Sequence, residues 1–173
     1  MGTTSYAIAL GSNRRHGRHG DPRRVVEAAI VALADAGLTI TARSGIRATV
    51  AVGGAGRRFA NAAVAVETSL TPPALLAVLK QMERVFGRRP ARRWSARVLD
   101  LDILWWSEGT YRGESLASSL FIPHAGLATR VFALQPLLEV VPGARHPVLG
   151  LTFASLLARL RAPRPVDRPR RHP

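Results

Sequence analysis

The order of hydrophobic patterns along the chain, strand, helix, strand, strand, helix, strand, predicts an α+β sandwich built on a mainly antiparallel sheet. Three observations carry that prediction. Two segments repeat apolar residues at helical spacing between a capping start and a glycine stop. Four short runs are apolar or alternating in the manner of strands, and no internal repeat interrupts the sequence of elements.

The elements follow in chain order. Tyr6 to Leu10 is a short apolar strand, ended by Gly11, Ser12 and Asn13 and a basic loop reaching Gly20. Asp21 then caps a helix whose first position is Pro22, where the missing N–H costs no hydrogen bond. Val25, Val26, Ala29, Ile30 and Leu33 form its apolar stripe and Gly37 closes it. Leu38 to Arg47 reads as a second strand, and the glycines and arginines of Ala48 to Arg58 as a loop. Phe59 to Thr68 is a third strand. Thr71, Pro72 and Pro73 open a second helix, striped by Leu75, Leu76, Leu79, Met82 and Phe86 and ended by Gly87. Arg88 to Ala96 is a basic loop, and Val98 to Trp106 is expected to be the central strand. Glu108 to Tyr111 turns into a hairpin, Leu120 to Leu138 combines a Pro-His turn with a short helix, and Thr152 caps a last helix through Leu160.

At 173 residues the chain suits one domain, expected over residues 1–160. Residues 161–173 form an arginine- and proline-rich tail with little to bury, expected to be disordered. The absence of cysteine excludes disulfide scaffolds, thiol catalysis and zinc-thiolate sites. With no secretory signal and no long apolar span, the expectation is a soluble, cytoplasmic protein without a membrane partner. The 25 basic and 11 acidic residues give a formal charge of +14, and all but one of the basic residues are arginine. That preference extends into segments with no other sign of a site, as a base-composition bias would; the charge itself favours an anionic partner.

The run RRWSARVLDLDIL, Arg92 to Leu104, carries the strongest chemical signal. Asp100 and Asp102 stand two residues apart in an apolar strand, so both carboxylates share one face. They repel each other and pay for desolvation unless a cation lies between them. Either they pair with nearby arginines or they hold a divalent ion, and the apolar surroundings favour Mg²⁺, which completes its shell with water and phosphate oxygens. Arg88, Arg92, Arg93 and Arg97 are either a solvated run or, as a group before this strand, a phosphate clamp of guanidinium forks. Trp94 is either a local anchor or a cover for a bound ring. His124 gains weight from Arg130 and Phe132 close behind it, and Gly11 to Asn13 is either a plain turn or a set of N–H groups facing an anion.

Taken together, LGSN at Leu10 to Asn13, FANAAVAVET at Phe59 to Thr68, E-x-x-x-G-R at Glu83 to Arg88, RW, R-x-LDLDIL, IPH at Ile122 to His124 and R-x-F-x-L-x-PL from Arg130 resemble the 6-hydroxymethyl-7,8-dihydropterin pyrophosphokinases. The resemblance spans residues 5 to about 160. It implies a ferredoxin-like αβα sandwich and a monomeric enzyme of folate biosynthesis. That enzyme moves pyrophosphate from ATP to the pterin hydroxymethyl group and releases AMP. It further implies that Asp100 and Asp102 bind two Mg²⁺ ions and that Arg88 and Arg97 act on the phosphates as catalytic residues. Trp94 would close a loop over the site. Glu83, Arg88, Trp94, Arg97, Ile103, His124 and Arg130 would line the ATP site, and Phe59, Asn61, Asp100 and Phe132 the pterin site. Three departures stand out: ATVAVGGAG at Ala48 to Gly56 replaces a Thr-Pro-rich segment, Ala125 follows the IPH, and Pro90 stands where some members carry arginine. They put affinity in doubt rather than activity.

Two other classes fit parts of the pattern. A basic ferredoxin-like RNA-binding domain would use Phe59 or Phe132 to stack bases, but the acidic pair would repel phosphates, so no stable nucleic-acid partner is expected. A relative with an altered substrate would keep the Mg²⁺ site and change the acceptor.

Overall fold

The computed structural model describes residues 2–50, 58–87, 97–115 and 118–162. A five-stranded sheet is formed by β1 (Thr4–Ser12), β2 (Thr39–Arg43), β3 (Arg47–Val50), β4 (Arg58–Thr68) and β5 (Asp100–Trp106), and every strand pair in it is antiparallel. Its order is β2-β4-β1-β5, with β3 beside β4. Counting β2 and β3 as one broken strand, this is the ferredoxin-like arrangement. Helices α1 (Pro22–Asp35) and α2 (Pro72–Val85) cover one face, and α3 (Val131–Val140) and α4 (Phe153–Arg161) the other. A hairpin of β6 (Tyr111–Ser115) and β7 (Ser118–Ile122) packs beside β5. A cis Ile122–Pro123 peptide follows it.

The helix starts follow from the capping residues. Asp21 Oδ1 accepts from the Arg24 N–H at 3.1 Å, and Thr152 Oγ1 accepts from the Ser155 N–H at 3.1 Å. Gly37 and Gly87 end α1 and α2 with φ of +85° and +81°, backbone that a Cβ would strain. Thr71 precedes α2 without making a side-chain cap, so Pro72 and Pro73 set that start by fixing φ alone.

Sheet alternation sorts the core into two layers. Tyr6, Ile8 and Leu10 of β1 and Val64 and Val66 of β4 meet Val26, Leu33, Leu75 and Leu79 of α1 and α2. Ala7, Ala63 and Ala65 on the opposite face meet Leu134, Leu137, Phe153 and Leu156 of α3 and α4. Small residues on the second face let α3 approach the sheet closely.

Two expectations change. The segment Leu38 to Arg47 is two strands, broken where Ser44 turns inward. Its N–H donates to the Ala63 carbonyl and its Oγ accepts from the Ala63 N–H, both at 2.9 Å, so a side chain replaces part of the ladder next to Gly45. Strand β3 then runs to Val50, into the segment read as loop; residues 51–57 lie outside the described residues. Among the described residues the strand carrying the aspartates is an edge strand, paired only with β1, rather than the central one. Its sequence is as apolar as a central strand because α2 and the turn after β7 cover its outer side. The 13-residue tail lies outside the described residues except for Arg161, which ends α4, and Ala162.

Candidate active site

Strand register assembles the site. Gly11 of β1 stands opposite Asn61 of β4 on one side and Asp100 of β5 on the other, and Ala9 stands between Ala63 and Asp102 in the next row. Residues directly opposite share a face. Asn61, Asp100 and Asp102 therefore look toward α3 across a floor of Gly11, Ala9 and Ala63. A Cβ on Gly11 would stand 3.4 Å from Asn61 Oδ1, so glycine keeps the space between the carboxamide and Asp100 open. Phe59 lies one row further along β4 on the same face, opposite Thr49.

Asn61 is held from the side. It is 9% exposed, and its Nδ2 donates to Thr49 Oγ1 at 2.6 Å. Arg47, opposite Asn61 on β3, bonds Glu139 of α3 through Nε and Nη2, and the other oxygen of that carboxylate accepts from the Gly45 N–H at 2.8 Å. The Arg47 hydrogen bonds, then the Gly45 N–H, hold the Glu139 carboxyl below its ordinary range. This pair ties the end of α3 to the strand beside Asn61.

Arg97 and Asp100 meet at the start of β5. Arg97 Nη1 donates to Asp100 Oδ2 at 2.8 Å, with both side chains partly exposed. The Arg97 N–H donates to Asn13 Oδ1 at 2.7 Å and its carbonyl accepts from the Asn13 N–H at 3.2 Å. Asn13, just past the end of β1, is thus the anchor for the arginine beside the aspartates, and Gly11 and Ser12, read as a turn, belong to the strand. The rings of His16 and His19 from the loop after it stack 4.8 Å apart, and His19 stacks on Phe86 at 5.1 Å. Burial first, then His16 and Arg18, lowers the His19 pKa.

The outer edge of β5 carries three further candidates. Glu83 is 1% exposed, and its Oε1 accepts from the Leu101 N–H at 2.8 Å and from Lys80 Nζ at 2.9 Å. Lys80 Nζ also donates to the Leu101 carbonyl at 3.2 Å. At the far end the His124 N–H donates to the Leu104 carbonyl at 3.2 Å. Ile103 lies between them with its side chain in the core, and strand alternation turns its N–H and C=O the same way as those of Leu101.

His124 Nδ1 accepts from the Gly126 N–H at 3.1 Å, which leaves Nε2 as the donor of the neutral ring. Arg130 lies over Gly126, where an added Cβ would stand 2.6 Å from its Nε, and its Cζ is 6.0 Å from the centre of the Phe132 ring. Phe132 is 44% exposed on the first turn of α3. Arg88 and Trp94, with Arg92 and Arg93, lie outside the described residues.

Asp100 and Asp102 fit a hard cation. No group of three or more His, Cys, Asp or Glu side chains converges among the described residues, so an ion there would take two carboxylates and draw its other ligands from water and substrate. That donor set suits Mg²⁺ rather than zinc. Sequence reading missed Thr49, inside a segment taken as loop, and Lys80, whose i,i+3 relation to Glu83 was the one signal available.

Residues 7–142 match the family described as 7,8-dihydro-6-hydroxymethylpterin-pyrophosphokinase. A 2-amino-4-hydroxy-6-hydroxymethyldihydropteridine pyrophosphokinase of Methylorubrum extorquens is 36% identical over 161 residues, covering 91% of this chain and 94% of the relative. One of the same name from Bacillus subtilis is 37% identical over 142 residues, covering 81% of this chain and 79% of the relative. Among solved structures, the wild-type HPPK-DHPS of Plasmodium falciparum superposes with a TM-score of 0.74 at 16% identity, over 91% of this chain and 41% of that one. This chain therefore spans less than half of that longer protein, and the likeness bears on fold alone. With the sequence match across most of its length, the chain belongs to the 7,8-dihydro-6-hydroxymethylpterin-pyrophosphokinase family.

Proposed function

We propose that this chain transfers the β,γ-pyrophosphate of ATP to the hydroxymethyl oxygen of 6-hydroxymethyl-7,8-dihydropterin, a step of folate biosynthesis. The hydroxyl oxygen bonds to the β-phosphorus, the bond from that phosphorus to the α,β-bridging oxygen breaks, AMP leaves with that oxygen, and the hydroxyl proton passes to solvent. The observation that carries the reading is the row Asn61, Gly11, Asp100 with Asp102 behind it. It sets a carboxamide able to bond a heterocycle edge beside two carboxylates able to hold a metal–triphosphate, across a floor of glycine and alanine.

The residues divide the work by position. Asn61 and Asp100 fix the pterin edge, with Phe59 and Phe132 stacking on its faces. At the β5 edge, the Ile103 N–H and C=O read the adenine between Glu83 and His124. Arg130 and Nε2 of His124 donate to the nucleotide. Arg97, anchored by Asn13, moves from Asp100 to the phosphates, where Arg88 joins it and Trp94 covers them. Asp100 and Asp102 would hold two Mg²⁺ ions, which when bound neutralise the triphosphate. None of these side chains is placed as a general base, so alignment and arginine charge do the rest; well-oriented reactants alone remove about 7–11 kcal/mol of barrier. No described helix is long and apolar enough to cross a membrane. We take the enzyme to act as a monomer in the cytoplasm, with residues 1–160 as the catalytic domain.

The test is product analysis with Mg²⁺, ATP and 6-hydroxymethyl-7,8-dihydropterin. Pterin-dependent AMP is expected. ADP would indicate an ordinary kinase, and no nucleotide product would overturn the assignment.

A further inference from the structure

Lys80 is the single lysine among the 25 basic residues of the chain. It lies on α2, one turn before the buried Glu83, and together they bond both polar groups of one residue of β5. Leu101 stands between the two aspartates. Its N–H, bound by Glu83 at 2.8 Å, belongs to the peptide that joins Asp100 to Leu101. Its carbonyl, bound by Lys80 at 3.2 Å, belongs to the peptide that joins Leu101 to Asp102. The Lys80–Glu83 contact at 2.9 Å closes the set, its carboxylate end buried at 1% exposure and its lysine side chain 38% exposed.

We propose that Lys80 and Glu83 form a clamp that aims the aspartate pair, making Lys80 a positioning residue for metal binding at Asp100 and Asp102. The inference rests on the reading of those carboxylates as metal ligands. An edge strand has a neighbour on one side only, so β1 meets the inner side of the two peptides that orient its carboxylates, and among the described residues no strand reaches their outer side. The clamp supplies the outer neighbour. Fixing the Leu101 N–H sets ψ of Asp100, and fixing the Leu101 carbonyl sets φ of Asp102, so the spacing of the carboxylates is held against their mutual repulsion before any ion arrives.

The test uses Mn²⁺ as a paramagnetic probe, titrated with a non-hydrolysable ATP analogue into the full chain and into Lys80→Met, Lys80→Arg and Glu83→Gln. Outer partners of metal ligands typically change affinity by 10–100-fold, so Lys80→Met should weaken Mn²⁺ binding about tenfold. It should also speed amide exchange at Leu101 and leave metal-free nucleotide binding unchanged. Lys80→Arg, which keeps a charged donor, should recover most of the affinity, and Glu83→Gln should fall between. The inference is overturned if folded Lys80→Met and Glu83→Gln bind Mn²⁺ within about twofold of the parent, or if metal-free nucleotide binding by Lys80→Met falls equally. Should Lys80→Met fail to fold, Glu83→Gln decides by its Mn²⁺ affinity, with binding within about twofold of the parent overturning the inference. A parent protein that makes no AMP sinks the function; one that makes AMP while the variants keep their Mn²⁺ affinity sinks only the clamp.

Discussion

Replacing Thr49 by valine probes the pterin side of the site without touching the phosphates. Valine nearly matches threonine in shape but removes the Oγ1 that accepts from Asn61 Nδ2 at 2.6 Å. Asn61 is 9% exposed, so water does not easily take over that role. The carboxamide then loses its fixed orientation, at about 0.5–1.5 kcal/mol for one hydrogen bond. If that orientation is what the pterin edge meets, the same energy appears as weaker pterin binding, and with tenfold per 1.4 kcal/mol the KM for pterin should rise about 2–12-fold. Steady-state AMP formation with each substrate varied in turn measures it. The KM for ATP should stay constant, because Thr49 and the β5 edge lie on opposite sides of the β4–β1 pair, and Thr49→Ser should restore the parent value. An unchanged pterin KM in a folded variant, or an equal rise for both substrates, would refute the reasoning.

Three other outcomes follow from the same geometry. Asp102→Asn should lower AMP formation at least about a hundredfold while circular dichroism and melting stay near the parent, since it removes half of the paired charge from a half-buried position. Arg97→Met should cost about a hundredfold or more in kcat with a smaller change in KM for ATP; equal losses in nucleotide affinity would show that Arg97 serves binding alone. Stability should fall with acid. Burial lowers the His146 pKa from its ordinary 6.5, and burial and nearby cations lower that of His19. The unfolded chain therefore takes up these protons more readily than the folded one. Melting temperature should hold above about pH 6.5 and decline as pH drops below it, toward the folded pKa values. His146→Phe should flatten that slope, and a melting temperature that rises with acid over this range would contradict the assignment.

The parts of the fold written in local chemistry were legible in the chain. Asp21, Pro22 and Gly37 announce α1, and the two-residue spacing of Asp100 and Asp102 announces a shared face, because capping and alternation depend only on near neighbours. What sequence could not supply is what lies across space. The largely apolar run from Val98 to Trp106 reads as a central strand, yet among the described residues β5 is an edge strand, because burial by helix side chains leaves the same pattern as burial by a second strand. Lys80 and Glu83 lie 21 and 18 residues from Leu101, and their helical spacing says only that they pair with each other. Thr49 sits among alanines, valines and glycines that read as loop, although the register with Phe59 makes it a strand residue facing the site.

The edge position has a chemical consequence for the proposed reaction. A central strand spends the N–H and C=O groups of both edges on its neighbours and offers only side chains. On β5 the inner edge is paired with β1 and the faces are divided between leucine or isoleucine toward α2 and aspartate toward α3. The outer edge remains for bonding in its own plane. Lys80 and Glu83 take it at Leu101, and the His124 N–H takes it at Leu104. Ile103 lies between them, adjacent in sequence to Asp102. One strand thereby offers backbone donors and acceptors sideways and carboxylates upward, roughly at right angles and one residue apart. A nucleotide whose base lies along the edge must turn its phosphates around Asp102 to reach the face where Asn61 stands. That turn brings the phosphate chain toward the row in which a hydroxyl group can be aligned.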